Sequence, residues 1–213
     1  MLSERILLDI CSLIPDTYTY MATTEEIKAL RDETSVSIMQ CKKALEEAGG
    51  DMEKAKVILR KISANIATKK SDRTLGAGVA AAYTHAGGAV VGAVVLASET
   101  DFVSKNEAFS KLAYDIAMHV AAMNPQFKTK EDVKESDIAA AKSVFMEEVA
   151  KVPEAMREKA LQGKIDSYLK ERVLLDQPFV KDASVTVGDL INQAVQKFGE
   201  KVELVRFERL SVR

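Results

Sequence analysis

Residues able to do chemistry are few and widely spaced in this chain. Two cysteines, Cys11 and Cys41, and two histidines, His85 and His119, stand in unrelated contexts. None has a ligand-spaced neighbour, so each histidine reads as structural and no metal site is expected. The cysteines form no disulfide framework, which fits a reducing compartment. Gly76-Ala77-Gly78-Val79-Ala80-Ala81 fits the pattern G-x-G-x-x-A, and Glu99 lies downstream where a ribose-binding acid would stand. A dinucleotide fingerprint, however, needs a strand before it and a helix after it, because the helix N-terminus holds the pyrophosphate. Here the polar run Lys69-Lys70-Ser71-Asp72-Arg73-Thr74 precedes it, and two apolar runs around Gly87-Gly88 follow. That is the pattern of an antiparallel hairpin. No nucleophile–base pairing, P-loop or metal constellation stands out, and no cofactor is expected.

The chemistry that remains is recognition. Ser98-Glu99-Thr100-Asp101-Phe102-Val103-Ser104-Lys105-Asn106 follows the apolar run 89–97 and precedes the amphipathic segment 107–122. It reads as a strand-to-helix connection, the kind of segment in which binding residues concentrate. Its one large aromatic, Phe102, either folds back onto the core or serves as an apolar anchor for a partner. Asp101 beside it carries a negative charge.

The elements that must position this stretch are legible from period and punctuation. The two runs 79–85 and 89–97 form the hairpin. Phe109, Leu112, Ala113, Ile116, Ala117 and Val120 make one stripe at helical spacing, with Asn106 as cap and Asn124-Pro125 as stop. Residues 130–176 read as mostly helical, with breaks at Pro153 and Gly163. Thr186-Val187-Gly188-Asp189 is a capping box, and Leu190, Ile191, Ala194, Val195 and Phe198 face inward behind it. Residues 202–212 are β-prone, with Val205 and Phe207 on one face, and should add a strand to the hairpin.

Ahead of this unit, residues 24–61 read as three short helices. Thr23 or Thr24 caps the first, which has Ile27, Leu30 and Arg31 on one face. Ser35 or Ser37 caps the second, whose apolar face is Ile38, Cys41, Leu45 and Ala48. Gly49-Gly50 stops it, and Asp51 caps the third. Helices this short bury little surface and make a docking module rather than a robust core. From position alone, Ile38 and Met39 are more often core than contact residues.

Two strings resemble signatures of one family. Thr100-Asp101-Phe102-Val103 after Ser98-Glu99 is similar to a signature of the elongation factor Ts family, the guanine-nucleotide exchange factors of elongation factor Tu. The run from Leu30 to Leu45, continued by Glu46-Glu47-Ala48-Gly49-Gly50-Asp51-Met52-Glu53-Lys54-Ala55, resembles that family's amino-terminal signature. Leu174 to Asp182 resembles its entry into the last unit. Ser35 and Val36 stand where the family usually has Gly-Ala, and Val95 and Ala97 where it usually has Glu and Asn.

The resemblance implies an α+β protein: a ubiquitin-associated-like three-helix domain, then a small antiparallel sheet packed with helices. The expected divisions are an extension at 1–20, with Met21 as natural start, a docking domain at 21–62, a basic linker at 63–75 and a core and dimerisation domain at 76–213. It implies the short form with a single core unit, acting as a homodimer. It implies that Thr100, Asp101, Phe102 and Val103 form a magnesium-dislocation loop, with Arg31, Ile38 and Met39 contacting the partner. The implied activity is exchange of GDP for GTP without covalent chemistry.

Length and charge agree with such a protein. The chain has 213 residues, with 30 basic and 32 acidic side chains and a formal net charge of −2. That balance argues against direct nucleic-acid binding. No run reaches the roughly 20 apolar residues of a membrane span. A cytoplasmic location is expected. The competing reading is an adaptor whose helical module binds some other helix or ubiquitin-like surface.

Overall fold

The computed structural model describes residues 20–150 and 152–212. The expectations for 1–19 lie outside these residues. Tyr20 lies within them, and its hydroxyl donates to Glu26 Oε1 at 2.5 Å. The fold is α+β and divides into two compact units after Leu59.

The first unit is helical. Helix α1 spans Thr24–Thr34 and α2 spans Ile38–Glu47, while α3, Met52–Lys69, begins in this unit. Thr23 and Glu26 close a reciprocal capping box over the start of α1. Ser35 ends α1 at φ 55°, where its N–H donates to Arg31 O at 2.7 Å. This is the left-handed conformation that glycine adopts without strain. Ser37 stands at the head of α2 but does not cap it through its side chain; its hydroxyl reaches Gln40 Oε1 instead. Leu30, Val36, Cys41, Ala44, Leu45, Ala55 and Leu59 form the core. Lys56 on α3 pairs with Glu33 on α1 at 2.6 Å.

The second unit is built on a three-stranded antiparallel sheet of order β1-β2-β5. Its strands are β1, Ala77–His85, β2, Val90–Ser98, and β5, Val202–Ser211. The β1–β2 hairpin turns through Gly87 and Gly88, both at positive φ. The G-x-G-x-x-A string therefore leads into a strand, not a helix, which removes the dinucleotide reading. After the single turn α4, Asp101–Ser104, comes α5, Glu107–Met123, which lies across one face of the sheet. Its stripe of Phe109, Ala113, Ile116, Ala117 and Val120 is fully buried with Val94, Leu96 and Leu204. Gly92 makes the close approach possible, because a Cβ there would lie 2.2 Å from Ala117 O.

Helices α6, Glu135–Val149, and α7, Glu154–Arg172, follow as an antiparallel pair. Phe145 packs edge-on against Tyr168, and Glu148 meets Lys164, which fixes their opposite direction. Gly163 does not break α7, contrary to expectation. A glycine inside a helix costs only about 1 kcal/mol relative to alanine, too little to end it. A small ribbon, β3, Pro178–Phe179, and β4, Asp182–Thr186, leads to α8, Val187–Phe198. The capping box of Thr186 and Asp189 is formed, and Ile191, Ala194 and Val195 are buried.

His119 on α5 is buried and satisfied at both nitrogens. Nε2 meets Gln177 Oε1 at 2.8 Å, and Nδ1 accepts the Val180 N–H at 3.2 Å. Burial holds its pKa below the ordinary histidine value, with the Gln177 bond opposing.

Two further expectations need correction. The stretch 63–75, expected as a basic linker, is helical through Lys69 and forms part of the second unit. Ile66 and Ala67 pack on that unit's core, Ser63 bonds Gln196, and Lys70 donates to Gly199 O. Its polar composition hid a surface helix that needs few buried residues. Val205 and Phe207 do not share a face either. The β2–β5 register shifts between Val95 and Leu96, which pair with Arg206 and Leu204, so Val205 is an extra, bulged residue. A bulge exchanges the faces of all that follows. Val202 and Leu204 thus face the core before it, Phe207 packs against the core after it, and Val205 is 50% exposed.

Candidate functional site

The Ser98–Asn106 stretch is more structured than a loop. Strand β2 delivers Ser98, fully buried, whose hydroxyl donates to Thr100 O at 2.9 Å. Thr100 has extended backbone angles and heads α4. Asp101 to Ser104 then make one helical turn, closed where the Lys105 N–H donates to Asp101 O at 3.0 Å. A four-residue turn shows no period in sequence, which is why this stretch read as an irregular connection.

The turn decides which side chains point where. Helical residues rotate by about 100° each, so adjacent pairs of a single turn fall on opposite sides. Val103 and Ser104 face inward and are buried. Asp101 and Phe102 face outward, and Phe102 is 85% exposed. Val103 belongs to the main core, so it roots the turn. Asn106 caps α5 through Ala108 N–H at 2.9 Å and fixes the other end. Asp101 pairs with Lys105 at 2.6 Å, and that ammonium group holds its carboxyl below the ordinary aspartate range.

The root of the turn also touches the corner between α8 and β5. Glu99 accepts the backbone N–H of Lys201 and pairs with Arg73 at 3.2 Å; the backbone bond, then the arginine, keeps it ionised below the usual glutamate value. Glu200 accepts both the N–H of Thr100, at 3.0 Å, and its hydroxyl, at 2.6 Å. Sequence reasoning found none of these partners. Glu200 lies 100 positions from Thr100, and Lys201 and Arg73 lie 102 and 26 positions from Glu99, so no local pattern pairs them.

The other three expected site residues share one corner of the first unit. Arg31 lies in the last turn of α1, and Ile38 and Met39 in the first turn of α2, on either side of the Ser35 bend. Ile38 is 53% and Met39 65% exposed, so the inward place expected for Ile38 is corrected; Cys41 and Leu45 face the core without it. Among the described residues no three His, Cys, Asp or Glu side chains cluster as metal ligands. No helix among them is long and apolar enough to cross a membrane.

Fold and site together define a two-unit α+β protein that presents an exposed aromatic on a turn rooted in the core of its second unit. The sequence matches the family model described as elongation factor TS over residues 19–213. It is 44% identical over 185 residues to elongation factor Ts of Desulforamulus reducens, covering 86% of this chain and 85% of the relative. Elongation factor Ts of Thermotoga petrophila is 41% identical over 186 residues, covering 87% and 94%. That of Alkaliphilus oremlandii is 41% identical over 192 residues, covering 89% and 88%. The chain belongs to the elongation factor Ts family, and its role lies in translation elongation.

Proposed function

We propose that this protein binds elongation factor Tu in its GDP state and promotes exchange of GDP for GTP. The observation that carries the reading is the exposed Phe102 on a turn anchored at both ends. An aromatic side chain left in water on a rigid base is suited to fill a pocket in a partner. Such anchors commonly contribute about 2 kcal/mol or more to binding.

A tightly held guanine nucleotide depends on a magnesium ion that demands near-ideal octahedral oxygen geometry. Insertion of Phe102 beside that site displaces the ion's surroundings and loosens the nucleotide. Val103 and Thr100 hold the wedge, and Asp101 presents a charge beside it. Arg31, Ile38 and Met39 supply a second contact from the helical unit, where the apolar side chains of Ile38 and Met39 are exposed. No bond is made or broken, so the activity is exchange rather than enzymatic conversion. It is also reciprocal: weakening GDP binding by a given factor means that GDP weakens this protein's binding by the same factor.

A homodimer in the cytoplasm is part of this reading. The sheet face opposite α5 carries Ala80, Ala82, Ala93 and Val95 around a shallow groove of about 320 Å³, bordered by Arg206 and Glu208. Small apolar side chains on a flat face suit the packing of a second sheet about 10 Å away. Light scattering at micromolar concentration tests it, and a monomer refutes it. The exchange function is tested by release of fluorescent GDP from elongation factor Tu on adding the full chain. Strong acceleration supports it, and none from a folded protein leaves the adaptor reading.

A further inference from the structure

The N-terminal end of the aromatic turn is held by a reciprocal pair of carboxylates. Glu99, at the end of β2, accepts the backbone N–H of Lys201. Glu200, at the corner before β5, accepts the backbone N–H of Thr100. Each segment thus grips the main chain of the other. Glu200 also takes the Thr100 hydroxyl at 2.6 Å. A threonine heading a helix ordinarily turns its oxygen onto the first turn's N–H groups. Thr100 makes no such bond, and its hydroxyl is committed to Glu200 instead.

We infer that Glu200 is a positioning residue for nucleotide exchange, acting through Thr100 to hold Phe102 in its insertion-ready direction. The inference rests on the exchange reading. Its physical basis is that one helical turn has no stability of its own, since nucleation costs more than one hydrogen bond returns. The C-terminal side of the turn is secured by Val103 in the core and by the Asn106 cap. The N-terminal side has the Ser98 hydroxyl on Thr100 O and the two bonds to Glu200. Without Glu200, the turn frays from Thr100 while Val103 and α5 stay in place. Phe102 then samples many directions, and ordering it is charged against the binding energy that should displace the nucleotide.

The test uses the full chain and elongation factor Tu loaded with fluorescent GDP. Glu200→Gln removes the charge and one acceptor. Its maximal exchange rate should fall by on the order of tenfold, the value of one charge-assisted hydrogen bond. The half-saturating concentration should stay near that of the unsubstituted chain, and the thermal midpoint should fall by no more than about 3–6 °C. Thr100→Val removes the same hydroxyl bond from the other side, and the double substitution should cost no more than the worse single one.

The chain has no tryptophan, so Phe102→Trp reports on the turn directly. Adding Glu200→Gln to it should lower the indole anisotropy in the free protein. An unchanged anisotropy, a maximal rate within twofold of the unsubstituted chain's, or strictly additive losses would overturn the inference. Failure of the unsubstituted chain to accelerate GDP release overturns the exchange reading instead. In that case the anisotropy comparison still decides whether Glu200 holds the turn.

Discussion

Gly92→Ala is the sharpest probe of how the turn is supported. Gly92 lies on β2 under α5, and an added Cβ would sit 2.2 Å from Ala117 O and 2.7 Å from Ala121 N. Both obstacles are helix backbone, so no side-chain rotation relieves them. Restoring ordinary contact requires α5 and β2 to separate by about 1 Å. Overpacking of a dense core costs about 1–3 kcal/mol, and a backbone obstacle belongs at the upper end. At about 2–4 °C per kcal/mol for a unit of this size, the main thermal transition should fall by roughly 6–12 °C. Because α5 begins at Glu107, with two residues separating it from the turn, its displacement should also lower the exchange rate at temperatures where the protein remains folded. Differential scanning calorimetry of the full chain gives the first quantity and fluorescent GDP release the second. A midpoint within 1 °C of the unsubstituted protein would refute the claim that α5 is seated on the sheet through Gly92.

Other expectations follow from single contacts. Ser35→Gly relieves a left-handed residue, which costs about 1–2 kcal/mol when not glycine, and should stabilise the helical unit in urea by up to about 1 kcal/mol. An unchanged midpoint would mean that the Ser35 bend is unstrained. Thr23→Ala opens the capping box on α1 and should cost about 1 kcal/mol, read as a lower urea midpoint for that unit. His119 is buried with its pKa below the free value of 6.5, so the unfolded chain binds the extra proton first. Its contribution is therefore intact above pH 6.5 and is lost as pH falls from there toward the folded value. Denaturation at pH 7.5 and 5.5 should show a loss in the unsubstituted chain that is smaller in His119→Gln, and equal losses would contradict the assignment.

How much of this was legible depended on whether a feature is local. The α5 stripe from Phe109 to Val120 announces itself, because burial on one helix face forces a period near 3.6. The hairpin is readable because Gly87-Gly88 supply the positive φ its turn needs. The Val205 bulge was invisible, because it is a property of pairing with β2 rather than of alternation within β5. The length of α3 was hidden by the polar run after Ser63, whose bonds go to residues more than 100 positions away. Phe102 was found through a short string. Its exposure follows from the direction of one helical turn, and the grip of Glu200 on Thr100 follows from the tertiary meeting of two corners.

The measurement nearest the central claim compares GDP release from elongation factor Tu driven by the full chain and by Phe102→Ala. Phe102 is 85% exposed, so its truncation should leave the thermal midpoint unchanged. Loss of an anchor of about 2 kcal/mol or more should reduce exchange by roughly thirtyfold or more. A stable Phe102→Ala protein that accelerates release as well as the unsubstituted chain would contradict the account.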